Sequence, residues 1–236
     1  MKQQQKGCDR AYLRKLEGLH PGTRHTEYLF SLFWLLYDSF GPQYWWPGQT
    51  PFEVAVGAIL TQNTTWKNVE KAIANLKSHR CLSPFAILEM ADYELAELLR
   101  PAGYYNIKTG RLKNFVKVLL EDFGGDMGQM AQVEDGLIRR RLLEIKGIGP
   151  ETADSIMLYA LEKPSFVVDA YTFRILQRHD MIDSSWDYEM LRGFFMDNLP
   201  IDVCLFNEFH ALIVMAGKSF CKARKPKCDQ CPIRAT

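Results

Sequence analysis

Apolar residues recur at helical spacing along nearly the whole chain: in "TEYLFSLFWLLYDSF", "PFEVAVGAILTQ", "NVEKAIANLKS", "YELAELLRPAG", "KTGRLKNFVKVLLEDFGG", "GLIRRRLLEI", "PETADSIMLYALE" and "FNEFHALIVMAGKSF". Alternating strand patterns are scarce. "SFVVDAY" is the only β-rich run, and it is short. Helix signals sit where the pattern needs them. Thr26 can cap the first stretch, Pro51 fits a first helical turn, and the pair Gly124 and Gly125 stops the long one. Many helices joined by short polar loops predict an all-α fold.

The 236 residues suffice for one large or two small cores. The formal charge is +1, so overall charge does not announce a nucleic-acid partner. Any such binding must come from local clusters, and two exist: "RRRLLEIK" from Arg139 and "KARKPK" from Lys222. Each can equally be a solvated face. No apolar leader opens the chain, and "VAVGAILTQNTTW" is broken by polar residues before it reaches membrane-spanning length. A cytoplasmic protein without a membrane partner is expected. In that reducing setting the six cysteines read as free thiols plus a metal site rather than disulfides. Cys8, Cys81 and Cys204 fit no motif, and Cys204 reads as packed in a helix.

The segment "EIKGIGPETADSIMLYALEKPSFVVDAYTFRI" carries the chemistry. Gly147 and Gly149 flank Ile148 directly before a helix opening at Pro150. Glycine permits left-handed angles and close approach, and proline suits the first helical position. Unpaired N–H groups at a helix start make an anion site that suits a DNA phosphate. The same turn can simply join two helices, with Ile148 locking it. Asp169 likewise has two readings: a helix N-cap before "AYTFRIL", or a functional carboxylate.

The ordered series of motifs resembles the endonuclease III superfamily of helix-hairpin-helix DNA glycosylases. Beside the hairpin and the aspartate after it stand "AILTQNTTWKNVEKAI", "RPAGYYNIKTGRL" and "CKARKPKCDQC", so the likeness runs from about residue 45 to the C-terminus. "YWWPGQTPFEVAVGAILTQNTTW", "KGIGPETADSIMLYA" and "VVDAYTF" are most similar to the 3-methyladenine DNA glycosylase III group. The resemblance implies a barrel of helices over residues 48–165 ending in the hairpin. A second, discontinuous helical domain would take residues 1–47 and 166–236.

It also implies an activity. Bifunctional members carry a lysine at the second position of the second hairpin helix, where its amine attacks the sugar. Here that position is Glu151, which cannot form a Schiff base. The implied enzyme is monofunctional: it removes an alkylated purine from duplex DNA, as a monomer, and leaves an abasic site. Asp169 becomes the carboxylate that stabilises the oxocarbenium-like sugar or orients water. Trp45, Trp46, Pro47 and Trp66 become walls for a flipped base, attracting a cationic 3-alkyladenine by cation–π contact. Glu151 and Lys218 border the same pocket. Gln62 matches the family's inserting residue, and Tyr104 or Tyr105 a second wedge. Lys146, Gly147, Ile148, Gly149 and Thr152 form the phosphate-binding hairpin. His210, within the apolar "FHALIV", reads as a core histidine.

Cys221, Cys228 and Cys231 have the C-x6-C-x2-C spacing of the family's [4Fe–4S] loop. The family's fourth thiolate would come at the position directly after Thr236. Three thiolates and another ligand on zinc are the alternative. Two further functions stay open on these motifs: a glycosylase for oxidised or mismatched pyrimidines, and a non-catalytic DNA-binding relative that uses only the hairpin.

Overall fold

The computed structural model describes residues 9–19 and 22–234; Cys8 and the last two residues lie outside these. Among the described residues there are thirteen α-helices and no strand. They form two compact units, one of Met1–Trp45 with Pro164–Thr236, the other of Trp46–Lys163.

The second unit is built around α3 (Pro51–Leu60), in which every residue from Phe52 to Leu60 is buried. A helix apolar on all sides can only be central. Thr50 caps it by accepting the Glu53 N–H, and Pro51 takes the first turn as expected. Around it pack α4 (Trp66–Ser78), α7 (Tyr105–Phe123) and α10 (Pro150–Ser155). Short α5 (Pro84–Glu89), α6 (Asp92–Leu99) and α8 (Met127–Ala131) lie against α7 or α4. Gly124 ends α7 at φ 59°, a left-handed angle that glycine takes without strain. Beyond α9 (Asp135–Leu143), α10 runs into a π-helical turn, Ile156–Ala160, that packs on α3. The arginine cluster is largely structural here. Arg139 makes a two-pronged bond to Asp154, at 2.8 and 3.0 Å, and Arg141 pairs with Asp122 and Glu144.

The first unit contains α1 (Arg10–Leu19), α2 (Arg24–Phe40), α11 (Ala170–Arg178), α12 (Tyr188–Asn198) and α13 (Val203–Ser219). Its core is aromatic: Phe166 stacks on Phe195 at 3.8 Å, and Phe209 meets Phe33 and Phe195 edge-on. Thr23, not Thr26, caps α2, because the chain enters the helix earlier than the apolar pattern begins. Thr26 is buried in the first turn and donates its N–H to the Thr23 hydroxyl.

The β-rich run forms no strand. Ser165 to Val168 are fully buried, so their backbone polar groups need partners, which side chains supply. The Phe166 N–H meets the Met196 sulfur and the Val168 N–H the Tyr188 hydroxyl, while the Ser165 hydroxyl accepts from Arg192. The apolar run thus delivers Asp169 at the end of a pinned, buried segment. Cys204, in the first turn of α13, is disulfide-bonded, a departure from the expectation of reduced thiols throughout.

Candidate active site

Asp169 is the N-cap of α11. Its Oδ1 accepts the Thr172 N–H at 2.8 Å and the Thr172 hydroxyl at 2.9 Å, forming a capping box. The side chain is only 11% exposed, and His210 Nε2 stands 3.7 Å from Oδ2, in ion-pair range but beyond a hydrogen bond. Burial pushes the carboxyl upward, but His210 and the two Thr172 bonds outweigh it and hold it below the usual carboxylate range. The cap therefore occupies one oxygen and leaves Asp169 ionised at neutral pH, with the other oxygen turned toward His210. The helical pattern of α13 gave His210 no signal beyond core packing. It is a site residue missed in the sequence, and only tertiary packing of α13 on α11 places it there.

That packing is unusually close. A Cβ on Gly217 would stand 2.2 Å from Tyr171 Cδ1. One residue on, Lys218 reaches to within 5.8 Å of the Trp45 ring centroid, which brings two of the expected pocket residues together. Glu208, also on α13, is buried and accepts the Gln43 N–H at 2.7 Å and the Tyr44 N–H, holding the strand of chain that leads to Trp45.

In the other unit, Trp46 and Trp66 meet at right angles with centroids 5.1 Å apart, and Tyr159 leans on Trp46 at 4.9 Å. Gly57 makes room for both indoles, since a Cβ there would lie 3.3 Å from each. Gly57 and Tyr159 were not singled out in the sequence: a glycine and a tyrosine inside apolar helices carry no local mark of the rings beside them. Pro47 is exposed just before α3.

The hairpin joins α9 to α10. Gly147 has φ 98°, and a Cβ there would come within 2.3 Å of Arg111 Cγ, so both conformation and space require glycine. Ile148 is buried and locks the turn, while Lys146 and Gly149 are exposed. Gln62 is tied inward. Its amide donates to the Gly147 carbonyl at 3.1 Å and to the buried Thr152 hydroxyl at 2.8 Å, and its oxygen accepts from Arg111. Tyr104 is 67% exposed with left-handed φ 47°, whereas Tyr105 is half-buried beneath the Arg100 guanidinium. Glu151 lies exposed in the first turn of α10.

The three loop cysteines are free, with Cys221 buried, Cys231 half-buried and Cys228 exposed. Burial raises the Cys231 thiol, and the neighbouring Cys221 and Cys228 raise it further. Arg178 donates to Cys221 Sγ at 3.3 Å, a bond that suits a thiolate. Among the described residues no three Cys, His, Asp or Glu side chains converge on a position for one metal ion. The donor set is three thiolates, the ligand type that holds iron–sulfur clusters.

Residues 56–200 match the model of the HhH-GPD superfamily of base excision DNA repair proteins. The chain belongs to that superfamily. Residues 221–235 match the iron–sulfur binding domain of endonuclease III, so the cysteine loop of this superfamily member is an iron–sulfur domain. A protein of Methanocaldococcus jannaschii described as a candidate DNA repair glycosylase is 48% identical over 88% of this chain and 94% of its own. The 3-methyladenine DNA glycosylase MagIII of H. pylori, solved with 1,N6-ethenoadenine, is 32% identical over 83% of this chain and 98% of its own, with TM-score 0.71. A trapped covalent endonuclease III–DNA complex shares the fold at TM-score 0.76 and 19% identity, over 88% of this chain and 92% of its own. The HhH-GPD chain is thus a base excision DNA glycosylase with the all-α fold of that superfamily. No helix among the described residues is long and apolar enough to cross a membrane.

Proposed function

We propose that this glycosylase is monofunctional and removes alkylated purines of the 3-methyladenine type from duplex DNA, acting as a monomer in the cytoplasm. The observation that carries the reading is the perpendicular Trp46–Trp66 pair seated on Gly57. Electron-rich indole faces attract a cationic base, and such a base leaves readily without strong acid help. The 1,N6-ethenoadenine held by the similar MagIII structure supports a purine pocket. Trp45, Pro47 and Lys218 are the further candidates for contact with the base, and Glu151 would supply negative charge.

Asp169 is the catalytic carboxylate in this reading. As the glycosidic bond breaks, positive charge grows on the sugar, and the ionised Oδ2 stabilises it. Water then adds to the sugar carbon. His210, 3.7 Å from that oxygen, is a positioning residue that keeps the carboxylate ionised. Because Glu151 offers no amine, no Schiff base forms and the strand stays intact. Backbone N–H groups at Gly147–Thr152 and the exposed Lys146 grip phosphate. Of the aromatic candidates, the projecting Tyr104 is the wedge and Tyr105 its support, with Gln62 at the neighbouring loop tip. Cys221, Cys228 and Cys231 would hold the [4Fe–4S] cluster, whose part is structural: it fixes the basic loop from Lys222 to Lys227.

The test is base release from methylated duplex DNA, with bases separated by chromatography and Asp169→Asn run in parallel. The expected result is free 3-methyladenine, no strand cleavage, and a loss of at least about a hundredfold in the variant, the scale of one positioned catalytic group. Release of oxidised or mismatched pyrimidine instead, or binding without release, overturns it.

A further inference from the structure

Lys108 is the largest buried charged side chain, 1% exposed in the first turn of α7. Its ammonium donates to the Leu60 carbonyl at 2.9 Å and to the Ala102 carbonyl at 2.7 Å. Burial, with Arg111 adding to it, pushes its pKa down to about 8, so the charge is kept at neutral pH against a real desolvation penalty. An apolar side chain would fill the same space without that penalty. What the ammonium adds is a link between two remote segments. Leu60 ends α3 immediately before the Thr61–Asn63 turn, in which Asn63 has φ 54°. Ala102 ends a 3-10 turn immediately before Gly103 and Tyr104, at φ 70° and 47°. Both segments leave their helices for left-handed conformations that are uncommon outside glycine. Each is anchored at its root by the same Nζ.

We infer that Lys108 is a positioning residue that couples the Gln62 and Tyr104 loop tips, so that they engage DNA as one rigid unit. The inference rests on the DNA-contact role given to those tips above. The root of each tip is fixed by one rigid donor, so displacing one carbonyl shifts the ammonium and with it the other. Arg111, one turn further along α7, reinforces the first tip through the Gln62 amide oxygen.

A double-mutant cycle tests this. Binding of the full-length protein to a duplex holding a tetrahydrofuran abasic analogue is measured for Gln62→Ala, Tyr104→Ala and both together. Tyr104→Ala is expected to weaken binding by about tenfold, the scale of one lost aromatic–base stacking contact, and Gln62→Ala by about fivefold, the scale of one lost hydrogen bond. Coupled tips make the double variant little worse than the poorer single one. In Lys108→Met the parent affinity drops and the two losses become multiplicative, while Lys108→Arg, whose fork cannot meet both carbonyls from a point, restores only part of the coupling. Multiplicative losses in the unaltered Lys108 background refute the coupling while leaving the DNA-contact reading intact. No effect of either single change removes the DNA-contact reading, and the coupling with it. Should Lys108→Met fail to fold, multiplicative losses in the unaltered background still refute the coupling, and the partial loss of coupling in Lys108→Arg still assigns it to Lys108; full coupling in Lys108→Arg overturns that assignment.

Discussion

Glu208 makes the pH dependence of this fold calculable. Burial pushes its carboxyl from 4.5 up to about 7, despite the N–H bonds from Gln43 and Tyr44 that favour the charged form. Between pH 4.5 and 7 the unfolded chain has lost this proton and the folded chain keeps it. Folding is therefore proton-linked: the contribution is fully present below 4.5 and is lost as pH rises through 7. The gap of 2.5 pH units, from 4.5 to about 7, corresponds to about 3 kcal/mol. Glu208→Gln retains an acceptor oxygen for the backbone N–H groups and cannot ionise. Relative to the wild type, it should gain up to about 3 kcal/mol between pH 4.5 and 8, or about 6 °C in Tm for a chain of this length. The unpaired amide donors of the new glutamine add an offset, but that offset does not change with pH. Asp169 titrates with the opposite sign, losing stability as pH falls, and cancels because both proteins carry it. Thermal melts of both proteins at half-unit steps from pH 5 to pH 8 give the difference curve. A flat difference curve would refute the argument, whatever its height, because only the slope reports a buried acid titrating near neutrality.

Gly217→Ala should destabilise the chain by about 1–3 kcal/mol, because the added methyl has no space beside Tyr171 and the clash is with the stem of that side chain rather than its tip. The same change should lower base release beyond the stability loss, measured below the melting range, since Asp169 caps α11. Glu151→Lys should create an amine where the bifunctional members have one. Borohydride should then trap a protein–DNA adduct that the wild type does not form, and absence of the adduct would show that the position alone does not determine lyase chemistry.

Local signals in the sequence held at several single residues, although the cap of α2 fell on Thr23 and not Thr26. Pro51 in the first turn of α3, the stop at Gly124 and the tight turn at Gly147 each follow from one residue's own conformational preference, and Ile148 is buried against that turn. The β-rich run was harder. Val167 and Val168 suit a strand, but what the segment needed was burial on all sides with side chains as hydrogen-bond partners, and nothing in "SFVVDAY" names Met196 or Tyr188. His210 and Tyr159 stayed hidden for the same reason. Inside an apolar helix a single polar or aromatic residue looks like core until the facing helix is known. The cap reading of Asp169 does not exclude the other, because one oxygen suffices for the cap.

A common device runs through what the sequence concealed. An all-α fold has rigid helices and loops with little structure of their own, yet its chemistry is placed on the loops. Here each such loop is tied to a helix by a polar group that is wholly or partly withdrawn from water. Glu208 on α13 holds the Gln43–Tyr44 backbone before Trp45. Arg192 on α12 holds Ser165 at the root of the segment ending in Asp169. Lys108 on α7 holds Leu60 and Ala102, and the half-buried Arg174 on α11 holds the Cys221 carbonyl of the cysteine loop. Burying such groups opposes folding, as the raised Glu208 and the lowered Lys108 both record. Apolar contacts could fill the same volume, but they are non-directional and would not fix a carbonyl or an N–H to within a few tenths of an ångström. A loop that must stay in one geometry needs that direction more than it needs the last kilocalories of stability.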